Sequence, residues 1–172
     1  MTSPQVTTLF ADADRHWLAA AIDLSRLSPP SPTHYAVGAV IVDRHGAMLA
    51  TGYTGETDPA HHAEEAALVK LAGPARADLA GATIYTSMEP CTFRRSRPVP
   101  CTELILAAGI GRVVLALREP ALFADCDGVR TLRLAGVDVH EHADLAGPVR
   151  EINAHLLGPA HPLGVTGGRT AA

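Results

Sequence analysis

Hydrophobic positions in the first third of the chain change period twice. From about Asp12 to Leu27, Trp17, Ala20, Ala21, Leu24 and Leu27 recur at three- and four-residue steps, which predicts a helix with one buried face. Ser28-Pro29-Pro30 ends it, because proline has no amide hydrogen to donate. Tyr35 to Val42 is then almost continuously apolar and rich in β-branched residues, the pattern of a strand covered on both faces. The turn Asp43-Arg44-His45-Gly46 leads into a second strand, Ala47 to Tyr53. Residues 1 to 11 carry no sustained pattern and are expected to form a flexible N-terminus.

After the polar loop Thr54 to His61, helices and strands alternate. Ala63, Ala66, Ala67, Leu68 and Leu71 predict a helix ended by Gly73-Pro74, and Thr83 to Ser87 a third strand. Leu104, Ile105 and Ala108 give the next helix its buried stripe, with Pro100 in its first turn and Gly109 closing it. Arg112 to Leu117 and Val137 to His140 read as strands four and five, with a helix over Val129 to Leu134 between them. Val149, Ile152 and Leu156 mark a last helix. Strands joined by helices after an opening hairpin predict an α/β fold, a mixed sheet with helices on both faces. At 172 residues the chain suits one well-buried domain, expected over 12–157. Residues 158–172 mix Pro, Gly and Thr without hydrophobic period and are expected to be a disordered tail.

Three short stretches carry the chemistry: His62-Ala63-Glu64, Pro90-Cys91 and Pro100-Cys101. One imidazole and two thiolates make a three-residue ligand set for zinc, leaving the fourth tetrahedral position to water. Glu64, two residues after His62, is free of the metal and able to move protons to and from that water. Taken singly, each stretch is bland: a solvated helix start, or two buried small hydrophobes. Together, in this order and with both cysteines after prolines, they match the pattern of zinc deaminases acting on nucleobases. Cys101 near a helix N-terminus gains from the exposed amides there, which favour a thiolate.

These residues, with Val37-Gly38-Ala39-Val40-Ile41-Val42, Tyr85-Thr86-Ser87-Met88-Glu89-Pro90-Cys91 and Ala108-Gly109-Ile110-Gly111-Arg112-Val113, carry a resemblance that runs from about Trp17 to Leu157. The chain resembles the cytidine-deaminase-like superfamily, and within it the deaminase domain of the riboflavin-biosynthesis deaminase/reductases. The long segment between Cys91 and Cys101 is similar to that branch and unlike the short Cys-x-x-Cys of most cytidine deaminases. The resemblance implies a three-layer α/β/α sandwich with a five-stranded mixed sheet and a homo-oligomer, a dimer or tetramer. It also implies Zn2+ as cofactor, hydrolytic release of ammonia from an amino-substituted pyrimidine or purine-type ring, and the deaminase part without a reductase domain.

The expected substrate pocket departs from that branch. The family's Asn-Pro before the Val-Gly strand is replaced by Pro32-Thr33-His34-Tyr35-Ala36, so His34 stands where a substrate-contacting Asn is usual; the alternative is a partly exposed loop histidine. Arg94, Arg95 and Arg97 lie between the cysteines, either to bind an anionic group or as a solvated loop. Ala63, between His62 and Glu64, is a further candidate contact. Ala121 and Asp127 replace an Asn and a basic residue associated with the sugar-phosphate end, and an acidic residue there opposes phosphate. The expected substrate is therefore a riboflavin-pathway aminopyrimidine or, with altered specificity, a free base, nucleoside or specialised metabolite.

Composition narrows the alternatives. Lys plus Arg at 14 against Asp plus Glu at 18 gives a net charge of −4, and aromatic content is 4%; both disfavour a nucleic-acid deaminase. No apolar run approaches a membrane span and no signal-peptide pattern opens the chain, so a cytoplasmic protein is expected. Three cysteines, two assigned to metal, leave Cys126 a bystander and exclude a disulfide framework. A domain that keeps zinc only for structure and serves as an interaction module is the rival of another class; Glu64 argues against it.

Overall fold

In the computed structural model the described residues are 4–71, 79–120, 122 and 126–158. The expectations for Gly73-Pro74, Ala121 and the tail after Gly158 fall outside them. The described elements, in chain order, are α1 (Pro4–Ser25), β1 (Gly38–Val42), β2 (Met48–Tyr53), α2 (Ala63–Val69), β3 (Thr83–Met88), α3 (Cys101–Ala108) and β4 (Arg112–Leu117). They are followed by α4 (Gly128–Leu134), β5 (Asp138–Glu141), a 3-10 turn, α5 (Ala146–Ile152) and α6 (Ala154–Leu157). Strand order across the sheet is β2-β1-β3-β4-β5. β1 runs antiparallel to both β2 and β3, while β3, β4 and β5 are mutually parallel neighbours, so the sheet is mixed.

The side-chain alternation of the strands divides the core in two. Ala39 and Ile41, Ile84, Val113 and Leu115 pack with Ala63 and Ala67 of α2, Ile105 of α3 and Leu132 of α4. Val40 and Val42, Tyr85, Val114 and Ala116 face the other way, onto Leu18, Ala21 and Ile22 of α1 and Val149 of α5. Helices thus cover both faces, the three-layer sandwich. β1 is buried along its whole length, whereas the edge strands β2 and β5 alternate or are mostly exposed, as the strand apolarities require. Among the described residues no helix is long and apolar enough to cross a membrane.

Three departures from the sequence pattern exceed two residues or split an element. α1 begins at Pro4 instead of about Asp12. Proline suits a first turn, where a missing amide hydrogen costs little, and Val6, Leu9, Phe10 and Ala13 continue the helical spacing backwards. β1 starts at Gly38 rather than Tyr35, because the backbone of Ala36 pairs with a side chain: its N–H donates to Asn153 Oδ1 at 2.8 Å and its carbonyl accepts from Asn153 Nδ2 at 3.0 Å. The same fully buried Asn153 separates α5 from α6, where one helix was expected; a short amide side chain that bonds nearby backbone competes with the helix ladder.

Two glycines set the helices close enough to build a site. A Cβ on Gly52 of β2 would lie 2.3 Å from the Ala63 carbonyl oxygen, so only hydrogen lets α2 rest at that depth. A Cβ on Gly128 would lie 2.0 Å from the Pro90 carbonyl oxygen, which brings α4 against the turn that carries Cys91. Gly109 closes α3 in the left-handed region at φ 76°, as its position after the apolar stripe predicts.

Candidate active site

Three chain reversals meet at one end of the parallel strands, the end where open α/β sheets bind ligands. His62 occupies the N-cap of α2, Cys91 follows β3, and Cys101 is the first residue of α3. His62 Nδ1 stands 3.5 Å from each of the two sulfurs, and the three donor atoms all lie within 4.8 Å of one another. Donors bound tetrahedrally at zinc's usual N and S distances stand about 3.6 Å apart, so the spacing suits that ion. The charge state agrees. Cys101 beside it pulls the Cys91 thiol down to about 4, while Cys91 and burial drive Cys101 well up. Two buried thiols this close oppose each other's ionisation, and a divalent metal would offset that opposition by its charge. The Cys101 amide, at the start of α3, donates to the Cys91 sulfur at 3.4 Å.

Glu64, on the first turn of α2, is 3% exposed. Burial, then the neighbouring Cys91 charge, raises its carboxyl above the usual range, against the opposing pull of His62 and Thr86. Its Oε1 lies 2.9 Å from the Thr86 hydroxyl on β3. Glu89 is held differently: its two oxygens accept from the Glu119 and Val129 amides at 3.0 and 2.8 Å, locking the ends of β4 and α4 to the Pro90-Cys91 turn. With one amide on each oxygen it braces this turn.

A cavity of about 650 Å³ opens beside these groups. His62, Glu64 and Cys91 line it, and so do His34, Arg94 and Arg95. His34 is at once the exposed loop histidine and a cavity residue, its Nδ1 3.0 Å from the Thr33 hydroxyl. Arg95 is exposed and, among the described residues, makes no ion pair. Arg94 is instead buried: it donates from Nη1 to Glu65 Oε2 and from Nε to the Val99 carbonyl, both at 2.8 Å. Ala63 packs its methyl into the core and does not line the cavity.

Beside Glu64 and Glu89, the further acidic group on the cavity wall is not the one the sequence suggested. Asp127 caps the α4 end of the chain reversal, is exposed and pairs with Arg130 at 3.4 Å. Glu119, at the end of β4, lines the cavity, and burial pushes its carboxyl up to about 7 against a hydrogen bond from Cys126. Cys126 is itself pushed up to about 12 by burial and Glu119, which leaves an inert thiol. Phe93 and Leu122 add apolar surface to the same cavity although both are exposed, at 61% and 52%. Glu119 could have been found from its place just after a parallel strand; Glu65 and Thr86, whose partners are distant in sequence, carry no local signal.

Comparison with known proteins agrees with this geometry. Residues 11–117 match the family model described as the cytidine and deoxycytidylate deaminase zinc-binding region. The chain belongs to the cytidine and deoxycytidylate deaminase family. Zinc is the cofactor of this deaminase family's matched region, which contains His62, Cys91 and Cys101. The chain is 39% identical over 127 residues to the diaminohydroxyphosphoribosylamino-pyrimidine deaminase of Schizosaccharomyces pombe, covering 73% of this chain and 31% of that protein. It is 36% identical over 135 residues to the riboflavin biosynthesis protein RibD of Aquifex aeolicus, covering 76% and 35%. It thus spans about a third of the length of these relatives. Among solved structures, the Aspergillus oryzae Rib2 deaminase in complex with DARIPP, a C-terminal deletion mutant, superposes with a TM-score of 0.66 at 26% identity. That match covers 84% of this chain and 90% of the other. The fold is therefore cytidine-deaminase-like, and the class is that of hydrolytic deaminases acting on carbon–nitrogen bonds.

Proposed function

We propose that this chain is a zinc-dependent deaminase of the RibD type, which hydrolyses the amino group of an aminopyrimidine and releases ammonia, with a pocket altered around the substituent of the ring. The observation that carries it is Glu64: a buried carboxyl held beside the His62, Cys91 and Cys101 donor set and open to a cavity. A structural zinc site has no use for such a group.

His62, Cys91 and Cys101 would hold zinc, which would supply the Lewis acidity that readies a water for attack near neutral pH. Glu64 takes the proton given up by the attacking water and delivers it to the ring nitrogen beside the amino-bearing carbon. As the carbon–nitrogen bond breaks, Glu64 carries the remaining hydroxyl proton to the leaving amine, so ammonia departs and a ring carbonyl remains. A carboxyl raised by burial suits this work, because it holds the proton between the two transfers. The cavity of about 650 Å³ has room for a heterocycle and a sizeable substituent. Glu119, Phe93 and Leu122 add an acidic group and apolar surface to a wall that also carries Arg95, which supports a specificity altered around the substituent.

The test is ammonia release by the zinc-loaded protein. The panel holds the phosphoribosylamino-pyrimidine, its dephosphorylated form, and cytosine and guanine compounds as bases and nucleosides. Glu64→Gln is expected to keep its zinc and lose about 10²- to 10⁴-fold in turnover. Near-normal turnover in that variant, or no ammonia from any compound, would refute the assignment.

A further inference from the structure

Glu65, the residue after Glu64, is directed away from the chemistry and into a cluster of two arginines and a histidine. Its side chain is 11% exposed. Oε2 accepts from Arg94 Nη1 at 2.8 Å, and Oε1 lies 3.6 Å from Arg97 Nε and 3.8 Å from His61 Nε2. Arg97 completes its pairing with Asp58, donating from Nη2 at 2.7 Å. Arg94 and Arg97 both belong to the segment between Cys91 and Cys101. The Arg94 side chain is only 4% exposed, a depth at which a guanidinium persists only with a carboxylate and a carbonyl beside it.

The two arginines therefore pin the segment at two points, three residues apart, and the two residues between them, Arg95 and Ser96, form a tip that lines the cavity. The pins also divide the charge. Arg94 and Arg97 are neutralised by Glu65 and Asp58, which leaves Arg95 as the segment's one uncompensated cation among the described residues. The arms differ in tightness. Arg94 makes two hydrogen bonds, while Arg97 Nε is buried without a hydrogen-bond partner.

We propose that Glu65 is a positioning residue: through Arg94 and Arg97 it clamps the inter-cysteine segment to α2 and so holds Arg95 and Ser96 against the substrate's ring substituent. Because Glu65 and Glu64 are consecutive on one helix, the clamp references the substrate-gripping tip to the group that moves protons. The substrate part of this inference rests on the deaminase function proposed above; the clamp itself does not.

Two measurements on the zinc-loaded full chain separate the two. The first is limited trypsin digestion with the cut sites read by mass spectrometry. Arg97 is followed by Pro98 and resists trypsin, so new cuts in the segment report Arg94 and Arg95 alone. Glu65→Gln is expected to raise cutting there by about tenfold, the worth of one hydrogen bond to a charged group. Glu65→Asp should restore most of the protection, and the zinc content should stay at the wild-type level. Arg97→Gln removes the looser and more exposed arm, serves if Glu65→Gln does not fold, and should raise cutting by about threefold. The second measurement is the kinetics on whichever panel compound is turned over. Glu65→Gln should raise KM about tenfold while kcat stays within about threefold. Cutting within twofold of wild type in both variants would overturn the clamp. Loosened cutting with unchanged KM would overturn the substrate-positioning role, as would loss of zinc in place of a KM effect. If wild type turns over nothing, the deaminase function fails while the digestion still decides the clamp.

Discussion

The Thr86 hydroxyl lies 2.9 Å from Glu64 Oε1 and 2.9 Å from the Met88 carbonyl oxygen, so one hydrogen is placed between two acceptors. When Glu64 is ionised, Thr86 can donate to it. When Glu64 is protonated, the acid can donate to Thr86 and the hydroxyl can turn to Met88. A buried group that must hold and release protons is thereby satisfied in both states. Thr86→Val keeps the shape and deletes this partner. It is expected to lower kcat by about 10- to 100-fold, the worth of a hydrogen bond to a charged group, with zinc content unchanged. Steady-state kinetics beside metal analysis checks it; an unchanged kcat would remove Thr86 from the mechanism.

What the sequence disclosed and what it concealed follow one physical division. His62, Glu64, Cys91 and Cys101 are residue types with few competing uses in that arrangement, and each sits beside a proline or a helix start that limits where it can point. The strands and α3 were legible because their hydrophobic period and their closing residue, Gly109, agree. Glu65 was invisible because its partner Arg94 lies 29 residues away and a lone acidic residue on a helix ordinarily faces water. Asp127 drew attention as the acidic substitution, yet its backbone caps α4 and turns the carboxylate to solvent, while Glu119 takes the cavity wall. The Asn153 break failed for a related reason, since a polar residue's tertiary partner decides its role; the α1 start, by contrast, lay in the spacing of Val6, Leu9, Phe10 and Ala13.

At the far end of β4, Asp14 of α1 is 4% exposed and accepts from both Arg112 Nη atoms at 2.7 Å and from the Tyr85 hydroxyl at 3.0 Å. Burial pushes its carboxyl up, but the Arg112 hydrogen bonds and charge outweigh it, and the group ends below 3.8. The sign follows. A depressed carboxyl contributes stability that is present above 3.8 and is lost as pH falls through the still lower folded value. Asp14→Asn leaves the half-buried Arg112 with only the exposed Asp138, 3.5 Å from its Nε, and should cost about 3 kcal/mol at pH 7, roughly 6 to 12 °C in Tm. Thermal melts at pH 7 and pH 3 check it, since the gap between the two proteins should shrink at the lower pH. Zinc lost from both proteins in acid cancels in that difference. A gap that is equal at both pH values would show that the ion pair does not govern the effect.

Glu119 makes the charge of the cavity depend on pH near neutrality. Its carboxyl is pushed up to about 7 by burial, with Cys126 opposing and the Cys91 charge adding to the rise. Between pH 6 and pH 8 it therefore gains a negative charge on the same cavity that Arg95 lines from the inter-cysteine segment. A substrate with a phosphate should bind less well as that charge appears, by about fivefold if the two anions sit several ångströms apart in partly screened surroundings. A phosphate also takes up its own second charge near pH 6, so its pH profile alone is ambiguous. Glu119→Gln resolves this, because it keeps the shape, removes the protein's titration and leaves the ligand's in place. The expected result is a KM for the phosphorylated pyrimidine that climbs from pH 6 to pH 8 in wild type and is flatter in Glu119→Gln, with the dephosphorylated compound nearly level in both. Parallel profiles in the two proteins would assign the whole effect to the ligand and leave Glu119 no part in substrate choice.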